Sequence, residues 1–524
     1  MPKVLIADKL SPAALQIFTD EGIEADVRLE LSRDELESII GKYDGLVVRS
    51  RTRPDAKLIE VATKLKVIGR AGIGVDNIDI AAASAKGIVV MNTPFGNAIT
   101  TAEHAIAMMF ACARNIPAAD RSTRSGKWEK SKFVGTELFG KTLGIIGCGN
   151  IGALVAERAL GLKMQVLAYD PYLTDERAVE IGVSKLALDD LLTRADVISL
   201  HTPLTDKTHN IISADALNKT KAGVMLVNCA RGGLVDEMAL YAGLVSGHVR
   251  AAALDVFAQE PVQDNPLFTL PNFVGTPHLG ASTREAQENV AVQIARQMSD
   301  YLLNGAVSNA LNMPSVSAED APRLKPYVAL AEKLGLLAGQ LTSGGLTRVE
   351  ISFQGAVAQM NIKPLSSAAL AGILRPILVD VNMVSAPIMA QERGIHLAET
   401  CEEQKNDFDS VIQIVLEDET GVRELAGTLF AGVPRVIRLD DVVLDAPFSD
   451  NMLFVSNEDK PGHIGALGEL LGENCVNIAT FNLGRAAAGS RAISLLGVDA
   501  PISAKALAEV KSLSHVRNAY ALKF

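Results

Sequence analysis

Three polar side chains stand at or just beyond the ends of apolar segments in the middle of the chain: Arg231 in "NCARGG", Glu260 in "LDVFAQEP" and His278 in "TPHLG". A neutral imidazole can accept a proton, a carboxylate can orient and charge it, and a guanidinium can hold a substrate carboxylate or polarise a carbonyl. Each residue alone has a plain structural explanation, because most lone histidines and arginines are core or surface residues. As a set, they indicate acid–base chemistry on an anionic substrate.

A glycine-rich turn precedes this set in the chain. The segment "GIIGCGNIG" places Gly147, Gly149 and Gly152 in the pattern G-x-G-x-x-G, between a strand-like run and a helical pattern. Such glycines let the backbone approach a dinucleotide pyrophosphate at a helix N-terminus, although a purely structural turn is the alternative. Asp170 ends the next apolar run, where a carboxylate binds the ribose hydroxyls and repels a 2′-phosphate. The pattern therefore predicts a dinucleotide site that prefers NAD to NADP.

Arginines near the N-terminus form a second candidate site. Arg49 and Arg51 lie in "VVRSRTRP" and Arg70 lies in "VIGRAG", each after an apolar run. The alternative is a group of solvated surface cations, which we accept for Arg53. For Arg49 and Arg70 we favour phosphate binding in a cleft opposite the catalytic histidine, because guanidinium groups match phosphate oxygens.

The elements that position these residues are two successive parallel sheets. Residues 3–92 alternate four short apolar runs with helical patterns, and residues 141–280 contain six such runs, the number of strands in a full Rossmann sheet. Doubly wound sheets bind ligands at the carboxyl ends of their strands. The candidate residues follow strand-like runs, so they are expected at those ends.

Two long helical patterns bracket the second sheet. Thr100 with Glu103, and Ser282 with Glu285, have the spacing of capping boxes at the starts of these helices. We infer that the second sheet is inserted into the first domain, and that the second helix carries the chain back to complete it. The cleft between the two domains is then the expected site of chemistry.

Two further domains follow a proline-punctuated linker. Residues 327–450 mix helical and strand patterns without a legible motif, and the last segment reads strand, helix, strand, strand, helix, strand, the order of a ferredoxin-like unit. The predicted fold class is α/β, with two doubly wound domains followed by two α+β domains. The predicted domains are a flavodoxin-like substrate domain at 1–98 and 282–312, a Rossmann domain at 99–281, an intervening domain at 313–450 and a βαββαβ domain at 451–524.

Composition limits the function classes. The chain has 524 residues and a net charge of −11, so its overall field does not favour nucleic acid or an anionic membrane. Five cysteines without C-x-x-C or metal-ligand spacing indicate reduced thiols and no metal site. The first residues do not resemble a signal peptide, and no segment reaches membrane-spanning length. We therefore expect a soluble, cytoplasmic protein.

The motifs also carry a family resemblance. "GIIGCGNIG", "NCARGGLVDE", "ALDVFAQEP" and "TPHLGAST" resemble the D-isomer-specific 2-hydroxyacid dehydrogenases. With "VVRSRT", "GRAGIGVDNID", "GKWEKSKF" and "NEDKPGHIGALGELLGENCVNIA", essentially the whole chain resembles the long type of this family, which acts on 3-phosphoglycerate and ends in an ACT domain. The resemblance implies NAD as cofactor and Arg231, Glu260 and His278 as catalytic residues. It also implies cofactor contacts at Gly147, Gly149, Asn150, Ile151, Gly152, Asp170, Thr202, Cys229, Ala230, Arg231, Asp255, His278, Gly280 and Ala281, and substrate contacts at Arg49, Arg51, Arg70, Ile73 and Gly74.

The implied activity is NAD-dependent oxidation of 3-phospho-D-glycerate to 3-phosphonooxypyruvate, the first step of the phosphorylated L-serine pathway. A side reduction of 2-oxoglutarate to 2-hydroxyglutarate is compatible with it. Formate dehydrogenases of the same superfamily typically carry Gln at the place of Glu260, which favours a hydroxyacid substrate here. Two alternatives stay open: a dehydrogenase of another D-2-hydroxyacid, and an NAD-sensing interaction protein, because such proteins can retain the catalytic triplet.

The resemblance further implies a homotetramer and a regulatory ligand. Lys130 and Lys132 are expected to add charge from a neighbouring subunit, and Trp128 to anchor an interface. L-serine is the expected effector of the last domain, with Asn457 and Asp459 at one turn and Asn477 from a paired subunit. The alternative is a turn that Asn and Asp satisfy without a ligand.

Overall fold

The computed structural model describes residues 1–342, 344–379, 381–403, 408–419 and 421–524. Its first sheet has five parallel strands in the order β2-β1-β3-β4-β5, which is the flavodoxin-like order. The strands are β1 (Lys3–Ile6), β2 (Glu24–Val27), β3 (Gly45–Val48), β4 (Val67–Arg70) and β5 (Val89–Met91), and the helices between them are α1 (Pro12–Asp20), α2 (Arg33–Ile39), α3 (Ala56–Val61) and α4 (Ile80–Ala85). Strand β2 was not among the four expected runs, because this edge strand reads "EADV", alternates charged with apolar residues and has no buried residue.

Two helices leave the first sheet, α5 (Ala98–Arg114) and α6 (Ile116–Arg124). Helix α5 begins directly after Asn97, so Thr100 and Glu103 lie inside it, and the capping box expected there is wrong. The physical reason is that the buried face of α5 already starts at Ala98, two residues before Thr100.

The second sheet is parallel with seven strands, in the order β12-β11-β10-β9-β6-β7-β8. The six expected strands are present, and β8 is an additional exposed strand of two residues. The strands are β6 (Thr142–Ile146), β7 (Gln165–Tyr169), β8 (Ser184–Lys185), β9 (Val197–Leu200), β10 (Val224–Asn228), β11 (Val249–Leu254) and β12 (Phe273–Gly275), and the helices are α7 (Asn150–Gly161), α8 (Asp175–Ile181), α9 (Leu188–Arg194), α10 (Ala214–Lys219) and α11 (Glu237–Ser246). The central strands are buried on both faces, which explains their continuous apolar runs.

Helix α12 (Arg284–Asn304) returns the chain to the first sheet. Its N-cap is Thr283, whose hydroxyl accepts from the Ala286 N–H, so the cap lies one residue beyond the expected Ser282. Residues Ile294 and Met298 of α12 are buried in the same core as β1 and β4. The Thr283 hydroxyl also lies 3.3 Å from that of Thr100, so the two connections between the domains meet at the starts of α5 and α12.

The region without a legible motif is a six-stranded sheet covered by helices, in the order β14-β13-β15-β16-β17-β18. Its elements are α13 (Ala321–Leu341), β13 (Leu346–Gly355), α14 (Lys363–Leu374), α15 (Ala386–Glu392), β14 (His396–Glu402), β15 (Ser410–Asp418), β16 (Gly421–Phe430), β17 (Val433–Leu439) and β18 (Val442–Pro447). Strands β13 and β14 are parallel, and the other neighbours are antiparallel.

The last domain has the expected βαββαβ order, with an antiparallel sheet arranged β20-β21-β19-β22. Its elements are β19 (Asn451–Glu458), α16 (His463–Glu473), β20 (Ile478–Arg485), β21 (Arg491–Val498), α17 (Ala504–Ser512) and β22 (Val516–Lys523). One face of the sheet packs on α16 and α17, and the other joins the core that contains α13. In the described part of the chain, every helix is too short or too polar to traverse a bilayer.

Candidate active site

The carboxyl ends of the two parallel sheets face one cleft of about 1070 Å³. Predicted residues from both domains line it. They are Arg70, Ile73, Gly74, Asn150, Ile151, Thr202, Cys229, Ala230, Arg231, Glu260, His278, Gly280 and Ala281. The structure thus brings the three candidate catalytic residues together with one of the three arginines expected at the substrate site, Arg70. Arg53, expected as a solvated surface cation, also lines the cleft.

His278 and Glu260 form a hydrogen-bonded pair in this cleft. The His278 Nδ1–H donates to Glu260 Oε2 at 2.7 Å, and Glu260 Oε1 accepts from the Phe257 N–H at 3.0 Å. The hydrogen bond to Glu260 raises the pKa of His278 above its ordinary value and outweighs burial, which lowers it. Because Nδ1 donates to Glu260, the lone pair of neutral His278 resides on Nε2.

Asp255 holds the backbone around His278. His278 has a left-handed φ of 54°, which is uncommon for a residue other than glycine. Its N–H donates to the Asp255 carbonyl at 2.9 Å, and the fully buried Asp255 carboxylate accepts from the N–H groups of Leu279 (2.7 Å) and Gly280 (2.8 Å). These bonds stabilise the strained turn and thereby orient the imidazole.

Two side chains that the sequence analysis did not single out reach the same carboxylate. The Thr276 hydroxyl donates to Asp255 Oδ1 at 2.6 Å, and His104 Nε2 lies 3.2 Å from that oxygen. Burial opposes ionisation, but hydrogen bonds from His104 and Thr276 hold the pKa of Asp255 below its ordinary value. His104, Cys229 and Asp255 bring possible metal-ligand atoms within 4.8 Å of one another, and the contact between His104 and Asp255 accounts for two of the three. For His104, the available signal in the sequence was its position as a polar residue on the buried stripe of α5.

Arg231 follows β10 and contacts the opposite domain. Its Nε donates to Asp76 Oδ2 at 2.9 Å, and its Nη1 donates to the Ala230 carbonyl at 2.7 Å. Asp76 lies in the loop after β4, within the segment "GIGVD". Ile73 and Gly74 of this loop were expected from the sequence at the substrate site, whereas Asp76 was not singled out.

Arg70, the last residue of β4, is a largely buried cation. Its Nη1 donates to the Ala71 carbonyl at 3.2 Å, and its buried Nε has no hydrogen-bond partner among the described residues. Burial and, after it, the guanidinium groups of Arg231 and Arg49 lower the pKa of Arg70 to about 10. Arg70 is therefore still charged at neutral pH, and the cleft has a positive wall that suits an anion.

Arg49 and Arg51 lie beside the cleft instead of lining it. Both line an adjoining pocket of about 360 Å³, and Ser50 lines both cavities. Arg51 Nε pairs with Asp8 Oδ1 at 3.2 Å, and Asp8 Oδ2 accepts from the Arg49 N–H at 2.6 Å. The Arg49 side chain donates to the Lys9 carbonyl at 3.4 Å, and its charge lowers the pKa of Arg70, so phosphate binding by Arg49 stays a prediction.

The glycine-rich turn has the shape that a dinucleotide requires. Gly147 has a φ of 90°, and a Cβ on Gly152 would overlap the Gly147 carbonyl oxygen. Gly149 faces open space before α7, whose first turn receives no side-chain cap within the described chain. Free N–H groups beside open space suit a pyrophosphate. Asp170 lies next to this turn, where its Oδ2 accepts from the Cys148 N–H at 2.8 Å.

The expected effector residues lie at opposite ends of the strands of the C-terminal sheet. Asn457 and Asp459 are at the end of β19, whereas Asn477 precedes β20 at the other end. Asp459 Oδ2 accepts from the Arg485 guanidinium and the Gly489 N–H, both at 3.0 Å. One chain alone therefore does not bring the three residues together.

Two buried side chains at this turn, Asn457 and His463, have unpaired polar atoms. Asn457 Oδ1 and both ring nitrogens of His463 have no hydrogen-bond partner among the described residues. Asn457 is 1% and His463 6% exposed. His463 begins α16 and was not singled out from the sequence, although it lies in the quoted turn "NEDKPGHIG". Unpaired buried groups are uncommon in folded proteins, so this turn is a candidate ligand site.

Comparisons with known proteins agree with this geometry. Residues 106–280 match the family described as D-isomer specific 2-hydroxyacid dehydrogenase, NAD binding domain, and residues 323–440 match the D-3-phosphoglycerate dehydrogenase intervening domain. A D-3-phosphoglycerate dehydrogenase of Archaeoglobus fulgidus is 44% identical over 521 residues, which is 99% of each chain. One of Bacillus subtilis is 38% identical over 522 residues, 98% of each chain.

Solved structures match the first part of the chain. A protein of Thermus thermophilus is 35% identical, with a TM-score of 0.55 over 59% of this chain and 99% of its own. A glyoxylate reductase of Paecilomyes thermophila is 30% identical, with a TM-score of 0.56 over 59% of this chain and 98% of its own. The chain belongs to the D-3-phosphoglycerate dehydrogenase family of NAD-binding D-isomer specific 2-hydroxyacid dehydrogenases.

Proposed function

We propose that this chain oxidises 3-phospho-D-glycerate to 3-phosphonooxypyruvate with NAD. The observation that carries the proposal is the pair of guanidinium groups, Arg70 and Arg231, that line one cleft beside His278. The substrate has an anionic group at each end, and two separate guanidinium groups can hold them. The unpaired buried Nε of Arg70 also indicates that an anion completes this site. The full-length relatives carry the name of the same activity.

His278 supplies the base of the proposed reaction. Its Nε2 accepts the proton of the substrate hydroxyl, while NAD, when bound, supplies the acceptor for the hydride. Glu260 stabilises the imidazolium that forms, because its carboxylate already accepts the Nδ1–H at 2.7 Å. In the reverse direction the imidazolium returns the proton, and Arg231 polarises the substrate carbonyl.

The cofactor residues are proposed on the geometry of the glycine-rich turn. The N–H groups at the start of α7 would hold the pyrophosphate, and Asp170 the adenosine ribose. Neighbouring contacts are proposed at Asn150, Ile151, Thr202, Cys229, Ala230, Gly280 and Ala281, which line the cleft.

All five cysteines are free thiols, so we place the enzyme in the reducing cytoplasm.

The function is tested by measuring NADH formation with 3-phosphoglycerate, glycerate and 2-hydroxyglutarate side by side. We expect the highest kcat/KM with 3-phosphoglycerate. A higher value with an unphosphorylated acid would assign the enzyme to another D-2-hydroxyacid. NAD binding without turnover of any of the three would favour an NAD-sensing interaction protein.

Arg70→Ala is expected to weaken the use of 3-phosphoglycerate far more than the use of glycerate. Loss of one charged hydrogen bond corresponds to about 1.5–3 kcal/mol, or about 10- to 150-fold in kcat/KM. The measurement is kcat/KM for both substrates, with Arg194→Ala as control because Arg194 is exposed at the end of α9, outside the cleft. Equal losses on both substrates would show that Arg70 serves folding instead of phosphate binding.

We also propose that the last domain is an ACT-type effector domain for L-serine in a homotetramer. The unpaired polar atoms of Asn457 and His463 support a small polar ligand at its turn. Asn477 of a second copy would complete the site, because Asn477 lies at the opposite end of its own sheet. Exposed Trp128, 88% accessible, supports a subunit contact in the NAD-binding half.

Asp459→Ala is expected to abolish serine binding while leaving uninhibited activity unchanged. Asp459 would bind the ligand ammonium, and it lies far along the chain from the catalytic cleft. The measurement is calorimetric titration of L-serine into the intact oligomer, with Lys505→Ala on α17 as control. If the parent oligomer takes up no serine at millimolar concentration, the effector proposal is wrong.

A further inference from the structure

Asp76 contacts the catalytic arginine from across the cleft. Arg231 follows the second sheet and Asp76 follows the first, yet Arg231 Nε donates to Asp76 Oδ2 at 2.9 Å. The contact therefore exists only while the two domains are close together. It links the closure of the cleft to a side chain that the proposed reaction uses.

The guanidinium of Arg231 is restrained on three sides. Nε is held by Asp76, Nη1 donates to the Ala230 carbonyl at 2.7 Å, and Nη2 lies against the bare backbone of Gly74. A Cβ on Gly74 would overlap Nη2, so glycine is required for this approach. Since the guanidinium is a rigid planar fork, fixing Nε also fixes the direction of both Nη groups.

We infer that Asp76 is a positioning residue for Arg231, and that closure of the cleft completes the grip on the substrate carboxylate. The inference rests on the proposed function and deepens the role given to Arg231 there. With Nε held by Asp76, the remaining N–H groups of the fork are the ones that face the substrate. An open cleft leaves Arg231 without this contact and free to change rotamer.

Charge and exposure argue against a simple stabilising role for Asp76. Its side chain is 67% exposed, and exposed ion pairs contribute about 0–1 kcal/mol to stability. A carboxylate beside the site also repels an anionic substrate, which disfavours binding. Because Asp76 disfavours substrate binding and contributes little to the stability of the fold, its presence is best explained by its effect on the orientation of Arg231.

The variant Asp76→Ala separates an effect on the orientation of Arg231 from effects on substrate binding and on stability. We expect kcat with 3-phosphoglycerate to fall by about 5- to 50-fold, because a misplaced catalytic group reduces turnover. The KM for 3-phosphoglycerate should change little, because the loosened grip of Arg231 on the carboxylate and the loss of the repelling charge oppose each other, and the unfolding temperature should be unchanged. Asp76→Asn keeps an oxygen acceptor for Nε, so it should restore most of kcat, with a KM no higher than that of the parent.

Gly74→Ala tests the same geometry without removing a charge. The three atoms nearest to the added methyl group are side-chain ends of Arg231 and Asp76, which can shift without moving the backbone, and Gly74 has no positive φ, so the fold should be retained. We expect kcat/KM to fall by about 100-fold. Gly161→Ala is the control, because Gly161 is exposed at the end of α7 with no neighbouring atom within 4 Å in the described chain.

Two results would overturn the inference. One is an unchanged kcat in Asp76→Ala, with or without a change in KM, which would make Asp76 a residue of substrate binding only. The other is an active Gly74→Ala with parent kinetics. Failure of the proposed function is distinguishable, because the parent enzyme itself would then not turn over 3-phosphoglycerate.

Discussion

His278→Ala is expected to reduce the rate of 3-phosphoglycerate oxidation by about 100-fold or more, the range of a general base. The variant removes Nε2, the atom on which the lone pair of neutral His278 resides, while Asp255 still holds the surrounding turn. NAD affinity should be largely retained. The remaining rate should rise with pH, because hydroxide must then remove the proton.

The measurement is kcat over a range of pH, together with the NAD dissociation constant. Added imidazole should restore part of the rate, because it can occupy the space left by the side chain. His209→Ala is the matched control, since His209 is exposed in the same domain and does not line the cleft. A variant that keeps a tenth or more of the parent rate would place the proton acceptor elsewhere.

The ends of the strands could be predicted from the sequence. Arg70, Arg231 and His278 follow apolar runs that became β4, β10 and β12, and parallel strands bring their carboxyl ends to one edge. Strands β4 and β10 are recognisable because they are buried on both faces, which requires continuous apolar residues. For these three residues, the end of the apolar run therefore indicates a place at the cleft without knowledge of the packing.

Contacts between the domains could not be predicted in this way. The pair formed by Asp76 and Arg231 depends on how far the cleft closes, and no local pattern encodes that angle. The contact of His104 with Asp255 could not be predicted either, because the position of His104 on the helical stripe of α5 is also typical of an ordinary core residue. Arg49 shows the converse, since it follows a strand end but Asp8 fixes its loop beside the adjoining pocket.

Predictions from local polar patterns were wrong where burial of apolar side chains determines the structure. The spacing of Thr100 and Glu103 matched a capping box, but the helix began earlier because its buried face begins at Ala98. Strand β2 was missed because an edge strand needs few apolar residues. The six-stranded sheet after α13 lacked a recognisable motif, because its apolar pattern reflects packing against α13 and α14.

Glu260→Gln is expected to move the pH profile of oxidation to lower pH and to reduce its plateau. The hydrogen bond to Glu260 raises the pKa of His278, so loss of the carboxylate lowers that pKa. Oxidation requires neutral His278, and its rate rises as pH increases through this pKa. The rising limb therefore moves to lower pH, and the falling limb of the reverse reduction, which requires the imidazolium, moves in the same direction.

The plateau should fall because the amide still accepts the Nδ1–H but no longer stabilises the imidazolium by charge. Charged hydrogen bonds exceed neutral ones by about 1–1.5 kcal/mol, which corresponds to about 5- to 10-fold in kcat. Glu237→Gln is the matched control, because Glu237 accepts from the Ala258 N–H in the same loop without contacting His278. If both variants leave the profile in place, Glu260 does not tune His278. If both move it equally, distortion of the loop explains the shift, whereas a shift in Glu260→Gln alone assigns it to the lost charge.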